Sequence, residues 1–468
     1  MTPTLPNMET PEIEISEELI RRFDSLGPRY TSYPTADRFS AVFDENRYIK
    51  YLEIDNASAV KTPLSIYVHL PFCASICYYC GCNKIITKDH GRSAKYLRYL
   101  EKEMVLVASH LHADRQVVQL HLGGGTPTFL SAEELRELMG MLRKHFNFSP
   151  DAELAIEIDP RTVNNNMMAM LADMGFNRTS LGVQDFDPAV QQAINRIQPF
   201  EMVAQAITAS RAAGFLSVNF DLIYGLPKQN LGSFSKTLDD VLRLSPDRIA
   251  LYNYAHLPSR FKPQRRITES DLPSAEERLQ IFMMSLRRLL DAGYVYIGLD
   301  HFAKPDDDLT MAQASKTLHR NFQGYTTRAE CDLIGLGLSS IGKVGHSYSQ
   351  SVRTLDGYYE RLDAGELPVE KGFELNMDDV LRRQIIMNFM CSEPIDFNAI
   401  NRTYGIDFIG YFSDELSKLK QYHAAELIKI NASSITVTPK GRMFVRAVGM
   451  VFDKFLQHPG TSQYSKLI

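Results

Sequence analysis

Cys73, Cys77 and Cys80 stand at C-x3-C-x2-C spacing, with an aromatic residue, Tyr79, directly before the third. They follow the apolar run 65–70, so the loop that holds them begins where a strand should end. Structural zinc sites usually pair two separated knuckles around one ion, and thiols packed this closely suit an iron–sulfur cubane better. A cubane normally takes four thiolates. Three leave one iron free to bind another molecule, and that open corner is where chemistry can occur. Cys82 also lies in this loop, but with only Gly81 between it and Cys80 it could hardly reach another corner of the same cluster. It reads either as an incidental thiol or as a proton or hydrogen-atom donor near a substrate.

Other polar residues fall at the ends of strand-like runs. Gly123-Gly124-Gly125-Thr126-Pro127 follows the run 117–122. Alone it is a turn, and without a following Gly-Lys-Ser/Thr it is no phosphate loop. Beside an open iron, it becomes a cradle for a ligand's amino group. Glu157, Gln184 and Asp221 end the third, fourth and fifth runs. A single carboxylate there is usually a helix cap, but three polar groups on successive strands would project into one mouth, where a cationic, hydroxyl-bearing ligand fits. Arg196, in the helical region after the fourth run, is either a surface arginine or a partner for that ligand's carboxylate.

These residues need elements to position them. Between 64 and about 300, β-like runs at 65–70, 117–122, 154–158, 179–183, 217–223 and 249–254 alternate with amphipathic stretches such as Ala132–His145 and 199–213. A seventh run is 294–299. The alternation predicts an α/β fold with parallel strands, closed or three-quarters closed into a partial β/α barrel, whose chemistry collects at the carboxyl ends of the strands. Residues 1–60 form an N-terminal arm or lid, polar and irregular apart from a helical stretch at 16–25. Within it, Pro28 to Pro34 reads as a stiff extended segment. It either packs across the main domain or presents Arg29, Tyr30 and Tyr33 to a substrate. Residues 61–375 form the barrel domain and its extension. Residues 376–468 form a small, mostly α-helical domain, possible as a winged helix, with helices at 376–391, 414–425 and 442–457 and a strand at Ser434–Val437.

Composition narrows the class. Length 468 exceeds what one core usually serves, and 44% hydrophobic with 23% charged residues is ordinary for a globular chain. The longest apolar run is too short to cross a membrane, and the N-terminus lacks the basic and apolar regions of a signal peptide, so a cytoplasmic location and no membrane span are expected. A net charge of −5 gives no footprint for nucleic acid. Four of six cysteines crowd into one loop, which is no disulfide framework; Cys331 and Cys391 read as small buried hydrophobes.

The cysteine spacing, the glycine run, Glu157 and Gly225-Leu226-Pro227 together resemble the radical S-adenosylmethionine superfamily. More narrowly, Pro28-Arg29-Tyr30-Thr31-Ser32-Tyr33-Pro34-Thr35, Cys77-Tyr78-Tyr79-Cys80-Gly81-Cys82-Asn83-Lys84, Asp221-Leu222-Ile223-Tyr224-Gly225-Leu226-Pro227-Lys228-Gln229 and the segment from His319 to Thr327 are similar to the oxygen-independent coproporphyrinogen III oxidases, or coproporphyrinogen dehydrogenases. Tyr79 departs from the phenylalanine common there. The resemblance implies that Cys73, Cys77 and Cys80 hold a [4Fe–4S] cluster whose fourth iron takes S-adenosylmethionine. It places Tyr67, Tyr79, Gly124, Gly125, Thr126, Glu157, Gln184, Arg196, Asp221 and Ala255 around that cofactor, and Gln323 and Ile341 against a second S-adenosylmethionine.

The implied reaction converts two propionates of coproporphyrinogen III to vinyl groups, giving protoporphyrinogen IX through a 5′-deoxyadenosyl radical. Ordinary acid–base help, about 10²–10⁴-fold, cannot remove an unactivated propionate hydrogen; a radical from the cofactor can. The resemblance also implies a reducing donor such as flavodoxin or ferredoxin and a monomeric chain. Arg29, Arg260, Arg265, Arg266, Arg320 and Arg328 are candidates to hold propionates. A haem-binding chaperone, a haem-degrading radical methyltransferase of similar architecture and a structural zinc protein are the rival readings. Cys82 and the arm argue against the first.

Overall fold

Six strands carry the expected alternation: β1 (Leu64–Leu70), β2 (Gln116–Gly124), β3 (Asn147–Ile158), β4 (Arg178–Gln184), β5 (Ser217–Tyr224) and β6 (Arg248–Asn253). Helices connect them: His90–Ser109, Ala132–His145, Asn165–Asp173, Phe200–Ala212 and Leu231–Leu244. The structure, a computed structural model, describes residues 17–54, 56–328 and 331–457. Neighbouring strands from β1 to β6 pair in parallel and in chain order. Local sequence fixes the helices between them. In Ala132–His145, Ser131 and Glu134 form a capping box, acids fill the first turn and bases the last.

The strands alternate strictly by face. Ile66, Val68, Leu70, Leu120, Leu122, Ile156, Leu181, Val183, Val218, Phe220 and Leu222 are fully buried on one face and form the core. The residues between them, among them Ser65, Tyr67, Gln119, His121, Glu157, Ser180, Asn219 and Asp221, share the opposite face. Parallel strands are usually apolar on both faces. A polar inner face therefore marks a ligand chamber rather than a second core.

The sheet extends on the far side of β1, which the sequence reading did not anticipate. β7 (Asp332–Leu336) lies parallel to β1, and β8 (Ile341–Val344), β9 (Ser347–Ser351) and β10 (Val369–Glu374) continue antiparallel from it. The strand order is linear, so β1–β6 form an open, partial barrel rather than a closed one.

The chain folds as two units. The barrel unit comprises Ala36–Ser285 and Arg328–Asn376; the other comprises the described parts of Met1–Thr35, Leu286–Thr327 and Met377–Ile468. The division between Asn376 and Met377 lies within one residue of the boundary expected at 375, whereas the one expected at 60 falls at 35/36 and residues 286–327 leave the barrel unit. Residues 36–60 join the barrel because they contain a second helix, Glu45–Glu53, capped by Asp44. Ser40 bridges Gly372, and Tyr51 Oη donates to Glu374 Oε1 at 2.7 Å. Residues 286–327 join the other unit through contacts such as Tyr325 Oη donating to the Met390 carbonyl at 2.7 Å.

In that second unit, helices Met377–Met390, Phe397–Tyr404 and Ser413–Ala424 accompany a small sheet of Ile395–Asp396, Ser434–Val437 and Ile428–Ile430. The single helix expected at 442–457 is instead a 3-10 turn (Lys440–Phe444), a short helix (Val445–Met450) and another 3-10 turn (Lys454–Gln457). Asp453 breaks it: its carboxylate accepts from Phe455 N and from Tyr30 Oη, both at 2.9 Å. The arm segment is correspondingly docked. Arg446 donates to the carbonyls of Gly27 and Pro28, at 2.6 and 3.0 Å. Tyr30 and Tyr33 are fully buried, and Tyr30 has φ 45°, so the segment is not simply extended. The part of the expected stretch 16–25 before Glu17 lies outside the described residues. Among the described residues, no helix is long and apolar enough to cross a membrane.

Candidate active site

The cysteine loop is tied down at both ends and along its length. Its base is a short parallel bridge between Phe72–Cys73 and Ile85–Ile86. Tyr78 N donates to the Ile194 carbonyl at 2.9 Å, Asn195 Nδ2 to that of Ile76 at 2.7 Å, and Gln264 Nε2 to that of Tyr79 at 2.9 Å. His69, at the end of β1, lies 2.9 Å through Nε2 from the Asn83 carbonyl and 3.1 Å through Nδ1 from Tyr67 Oη. A carbonyl only accepts, so Nε2 carries the proton and Tyr67 donates to Nδ1. Gly81 must be small: a Cβ there would meet the Phe261 ring at 3.2 Å.

Each of the three expected ligands has its own polar surroundings. Thr126 Oγ1 donates to Cys73 Sγ at 3.5 Å. Arg161 Nη2 and Arg196 Nη1 reach Cys77 Sγ at 3.8 and 3.6 Å. Lys84 Nζ donates to the Cys80 carbonyl at 3.2 Å. Burial pushes the Cys73 thiol up to about 11. The Cys80 thiol is drawn down to about 6, first by a hydrogen bond with Cys82, and the same bond pushes Cys82 up. Among the described residues no three His, Cys, Asp or Glu side chains converge on one ion. A cubane asks for something else, a single thiolate at each of several irons. Three free thiols, two of them with O–H or N–H donors aimed at their sulfurs, fit such a cluster, because outer hydrogen bonds to sulfur are how proteins hold and tune it.

Next to the loop, the glycine run brings backbone close to two side chains. Gly124 has φ 113°, and a Cβ there would stand 2.6 Å from His69 Nδ1; at Gly123 it would stand 2.6 Å from Glu157 Oε1. Only glycine allows this approach. Gly124 N donates to Glu157 Oε2 at 3.2 Å, and His121 Nε2 lies 3.1 Å from Glu157 Oε1. His121 also stacks on Tyr67, with centroids 5.9 Å apart. Desolvation pushes Glu157 upward, but His121 and the Gly124 N–H outweigh it and hold the carboxyl below its ordinary value. Asp221 goes the other way. Desolvation first, then repulsion from Glu157, raise it to about 6, although Ser180 Oγ (2.6 Å) and Asn219 Nδ2 (2.9 Å) donate to it.

Arg196 is not a surface residue. Its side chain is 8% exposed, pairs with Asp159 at 3.1 Å and donates to the Gly182 carbonyl at 2.7 Å. Gln184 has φ 64°, a left-handed conformation that is rare outside glycine, and its amide lies beside Arg196 at Gly182. Tyr79 packs against the apolar group of Val190, Ile194, Leu226, Tyr254 and Ile267. The Ala255 carbonyl accepts from Gln264 Nε2 at 3.2 Å. Ile341 backbone atoms crowd Gly335, which pairs in register with Tyr67. The structure thus gathers Tyr67, Gly124, Thr126, Glu157, Gln184, Arg196 and Asp221 around the cysteine loop.

Gln323 belongs to the other unit, in the turn of the hairpin His319–Asn321 and Gly324–Thr326, where its buried Oε1 has no partner among the described residues. Arg29, in that unit too, pairs with Asp300 at 3.0 Å and keeps 34% of its side chain exposed. Tyr30, expected at a substrate, is instead core: its ring is fully buried and its hydroxyl is spent on Asp453.

Sequence reasoning missed His121, Asp159, Arg161, Ser180 and Asn219. The signal for three of them was present. Gln119-Leu120-His121-Leu122-Gly123, Arg178-Thr179-Ser180-Leu181-Gly182 and Ser217-Val218-Asn219-Phe220-Asp221 alternate polar with apolar or branched residues, a pattern that parallel strands carry only when one face is wet.

Comparison with known proteins agrees with this geometry. The Radical SAM superfamily pattern matches residues 67–241, and that of the HemN C-terminal domain matches residues 375–444. The oxygen-independent coproporphyrinogen III oxidase of Pseudomonas aeruginosa is 48% identical, the match covering 96% of this chain and 98% of the relative. That of Escherichia coli is 43% identical over 98% of this chain and the whole of the relative. The solved structure of the Escherichia coli coproporphyrinogen III oxidase, described as a radical SAM enzyme, superposes with a TM-score of 0.90 at 42% identity, covering 95% of this chain and 99% of that one. Radical SAM membership implies a [4Fe–4S] cluster and S-adenosylmethionine. With a three-thiol loop at the strand ends, a polar barrel mouth behind it and relatives matched over nearly their full length, this chain belongs to the oxygen-independent coproporphyrinogen III oxidase family of radical SAM enzymes.

Proposed function

We propose that this chain catalyses the anaerobic oxidative decarboxylation of two propionates of coproporphyrinogen III, giving the vinyl groups of protoporphyrinogen IX in haem biosynthesis. The observation that carries this reading is the joining of the Cys73–Cys77–Cys80 loop to a polar barrel mouth in which, among the described residues, Glu157 and Asp221 have no lysine or arginine partner. When bound, a [4Fe–4S] cluster and S-adenosylmethionine supply a 5′-deoxyadenosyl radical, able to take an unactivated hydrogen.

The residues' part is to bind, orient and exclude water. Cys73, Cys77 and Cys80 would hold the cluster, leaving one iron for the cofactor. Glu157, kept ionised by His121 and the Gly124 N–H, suits the methionyl ammonium. Asp221, oriented by Ser180 and Asn219, suits ribose hydroxyls. Thr126, Gln184, Arg196, Tyr67, Tyr79 and Ala255 complete that subsite. Arg29 would exchange Asp300 for a propionate, and Tyr30 would anchor the arm that carries it. A second S-adenosylmethionine would bind as well, and Cys82 would donate a proton or hydrogen atom. The electron would come from a flavodoxin or ferredoxin. The protein would act in the cytoplasm as a monomer, with the barrel unit carrying the cofactor chemistry.

The test is anaerobic incubation of cluster-loaded protein with a reductant, S-adenosylmethionine and coproporphyrinogen III. Protoporphyrinogen IX, CO2 and methionine are expected. Cys73→Ser, Cys77→Ser and Cys80→Ser should each lose the brown cluster absorbance and the product, while Cys82→Ser keeps the cluster. Methionine release with a ring-opened pigment, or a stoichiometric haem complex without vinyl product, would overturn the reading.

A further inference from the structure

The three cluster-ligand candidates are not electrostatically equivalent. Cys73 receives a neutral hydroxyl from Thr126, whereas two guanidinium groups converge on Cys77. Both are organised by one carboxylate. Asp159 Oδ2 accepts from Arg161 Nη2 at 2.7 Å and from Arg196 Nη1 at 3.1 Å, and its Oδ1 accepts from Arg161 Nε at 3.0 Å. The group is well removed from solvent: side-chain exposures are 6% for Asp159, 8% for Arg196 and 20% for Arg161.

Local sequence builds this arrangement. β3 ends at Ile158, and Pro160 opens the 3-10 turn Pro160–Thr162, with Asp159 as its N-cap accepting from Arg161 N. The turn folds Arg161 back over its own cap and toward Cys77. Arg196 arrives from the opposite side, after Asn195 at φ 55°, and Gln198 Oε1 fixes its Nε at 3.1 Å. Arg196 has a reason to be here in the proposed cofactor subsite. Arg161 has none there, yet its Nη2 is shared between Asp159 and the sulfur.

We propose that Arg161 and Asp159 are positioning residues that set the reduction potential of the cluster in opposite directions. The inference rests on the cluster assignment made under the proposed function. Two arginines and one aspartate place a net single positive charge beside Cys77 Sγ. Reduction adds an electron to the cluster, and a positive charge or an N–H···S hydrogen bond stabilises the more negative reduced form. Arg161 therefore makes the cluster easier to reduce. Asp159 aims Arg161, but its own charge opposes the added electron. Removing Arg161 leaves a neutral Asp159–Arg196 pair, and removing the Asp159 charge leaves two cations.

The test is an anaerobic potentiometric titration with dithionite, followed by the paramagnetic resonance signal of the reduced cluster, on full-length reconstituted protein. Arg161→Gln should lower the reduction equilibrium constant about tenfold, equivalent to about 59 mV for a one-electron couple. Arg161→Lys should stay close to the parent, and Asp159→Asn should move the potential the other way. An unchanged potential in Arg161→Gln, or shifts of the same sign in Arg161→Gln and Asp159→Asn, would overturn the proposal. Loss of the cluster from both Arg161→Gln and Arg161→Lys would overturn it too, since shape rather than charge would then be the requirement. If the unsubstituted protein assembles no [4Fe–4S] cluster, the proposed function fails; an unaltered potential in a protein that holds one sinks only this inference.

Discussion

Two polar rows cross the inner face of the same barrel, and they are built to opposite ends. In the row far from the cysteine loop, Ser65 Oγ donates to Gln119 Oε1, Gln119 Nε2 donates to Glu153 Oε1, and Arg178 Nε pairs with Glu153 Oε2, at 2.9, 2.9 and 2.7 Å. Its one carboxylate meets one guanidinium. In the row nearest the loop, Tyr67, His121, Glu157, Ser180, Asn219 and Asp221 bring two carboxylates together with histidine, hydroxyl and amide partners, but among the described residues neither carboxylate pairs with a lysine or arginine. The first row is complete without a ligand. The second has negative charge to spare, at the end of the strands where a positively charged, hydroxyl-bearing cofactor would enter. A buried polar group is usually satisfied; the place where positive charge falls short is the place to look for a missing partner.

The sharpest test sets Glu157 against Glu153, which share β3. Glu157→Gln keeps the shape but loses a charge-assisted contact, so S-adenosylmethionine should bind about 10²-fold more weakly, roughly the 1.5–3 kcal/mol of a hydrogen bond to a charged group. Its thermal stability should hardly fall. Glu153→Gln should show the reverse: about 1–3 kcal/mol less stability, because Arg178 loses its partner, with a cofactor Kd unchanged. Isothermal titration and thermal melts on both variants would settle it. Equal cofactor affinities in the two variants would erase the distinction between the rows.

Asp221 offers a smaller test, through pH. Its folded-state value near 6 lies above the ordinary 3.8, so the folded protein prefers the protonated form. Relative to an uncharged residue, Asp221 therefore costs stability above pH 6, and the cost disappears as pH falls through 6 toward 4. Asp221→Asn should raise stability at pH 8 by about 1–2 kcal/mol, the full 1.4 kcal/mol per unit being reduced by water in the mouth. The gain should be absent at pH 4, while turnover drops. Melting curves of the cofactor-free protein at both pH values measure it. A gain independent of pH would mean the second row carries no excess charge.

Much of this site could be read from the sequence because its chemistry is local. The cysteine spacing needs only a loop, and Glu157, Gln184 and Asp221 announce themselves as polar residues closing apolar runs. Helix Ala132–His145 and strand Ser434–Val437 have the bounds that periodicity and capping suggest. What escaped depends on distant partners. Strands β7 to β10 are rich in glycine and serine (Gly335, Gly342, Ser347, Ser349, Ser351), so their apolar signal is weak and β1 supplies the template. Asp159 and Arg161 carry no signal of their own in the sequence; only folding brings Arg196 and Cys77 to them. The arm misled through its prolines, since Tyr30 turns inward to an aspartate 423 positions away.

His121 gives the smallest effect and the finest discrimination, because it touches the carboxylate rather than the ligand. His121→Phe preserves the ring against Tyr67 but deletes the hydrogen bond at 3.1 Å to Glu157 Oε1. Glu157 then keeps only the Gly124 N–H, and desolvation, already the largest influence on it, pushes its pKa up. At pH 8 the carboxylate is still ionised, so cofactor affinity should fall only about fivefold, near 1 kcal/mol. As pH drops through the raised pKa the carboxyl takes up a proton and the ammonium loses its counter-charge, so affinity should fall further toward pH 6 in the variant and stay nearly flat in the parent. Binding isotherms at pH 6, 7 and 8 separate the possibilities. A uniform loss at all three values would mean that His121 acts by filling space beside Tyr67. A loss that steepens with acidity means that the histidine keeps Glu157 charged, and that the row nearest the cluster draws on this hydrogen bond to stay anionic.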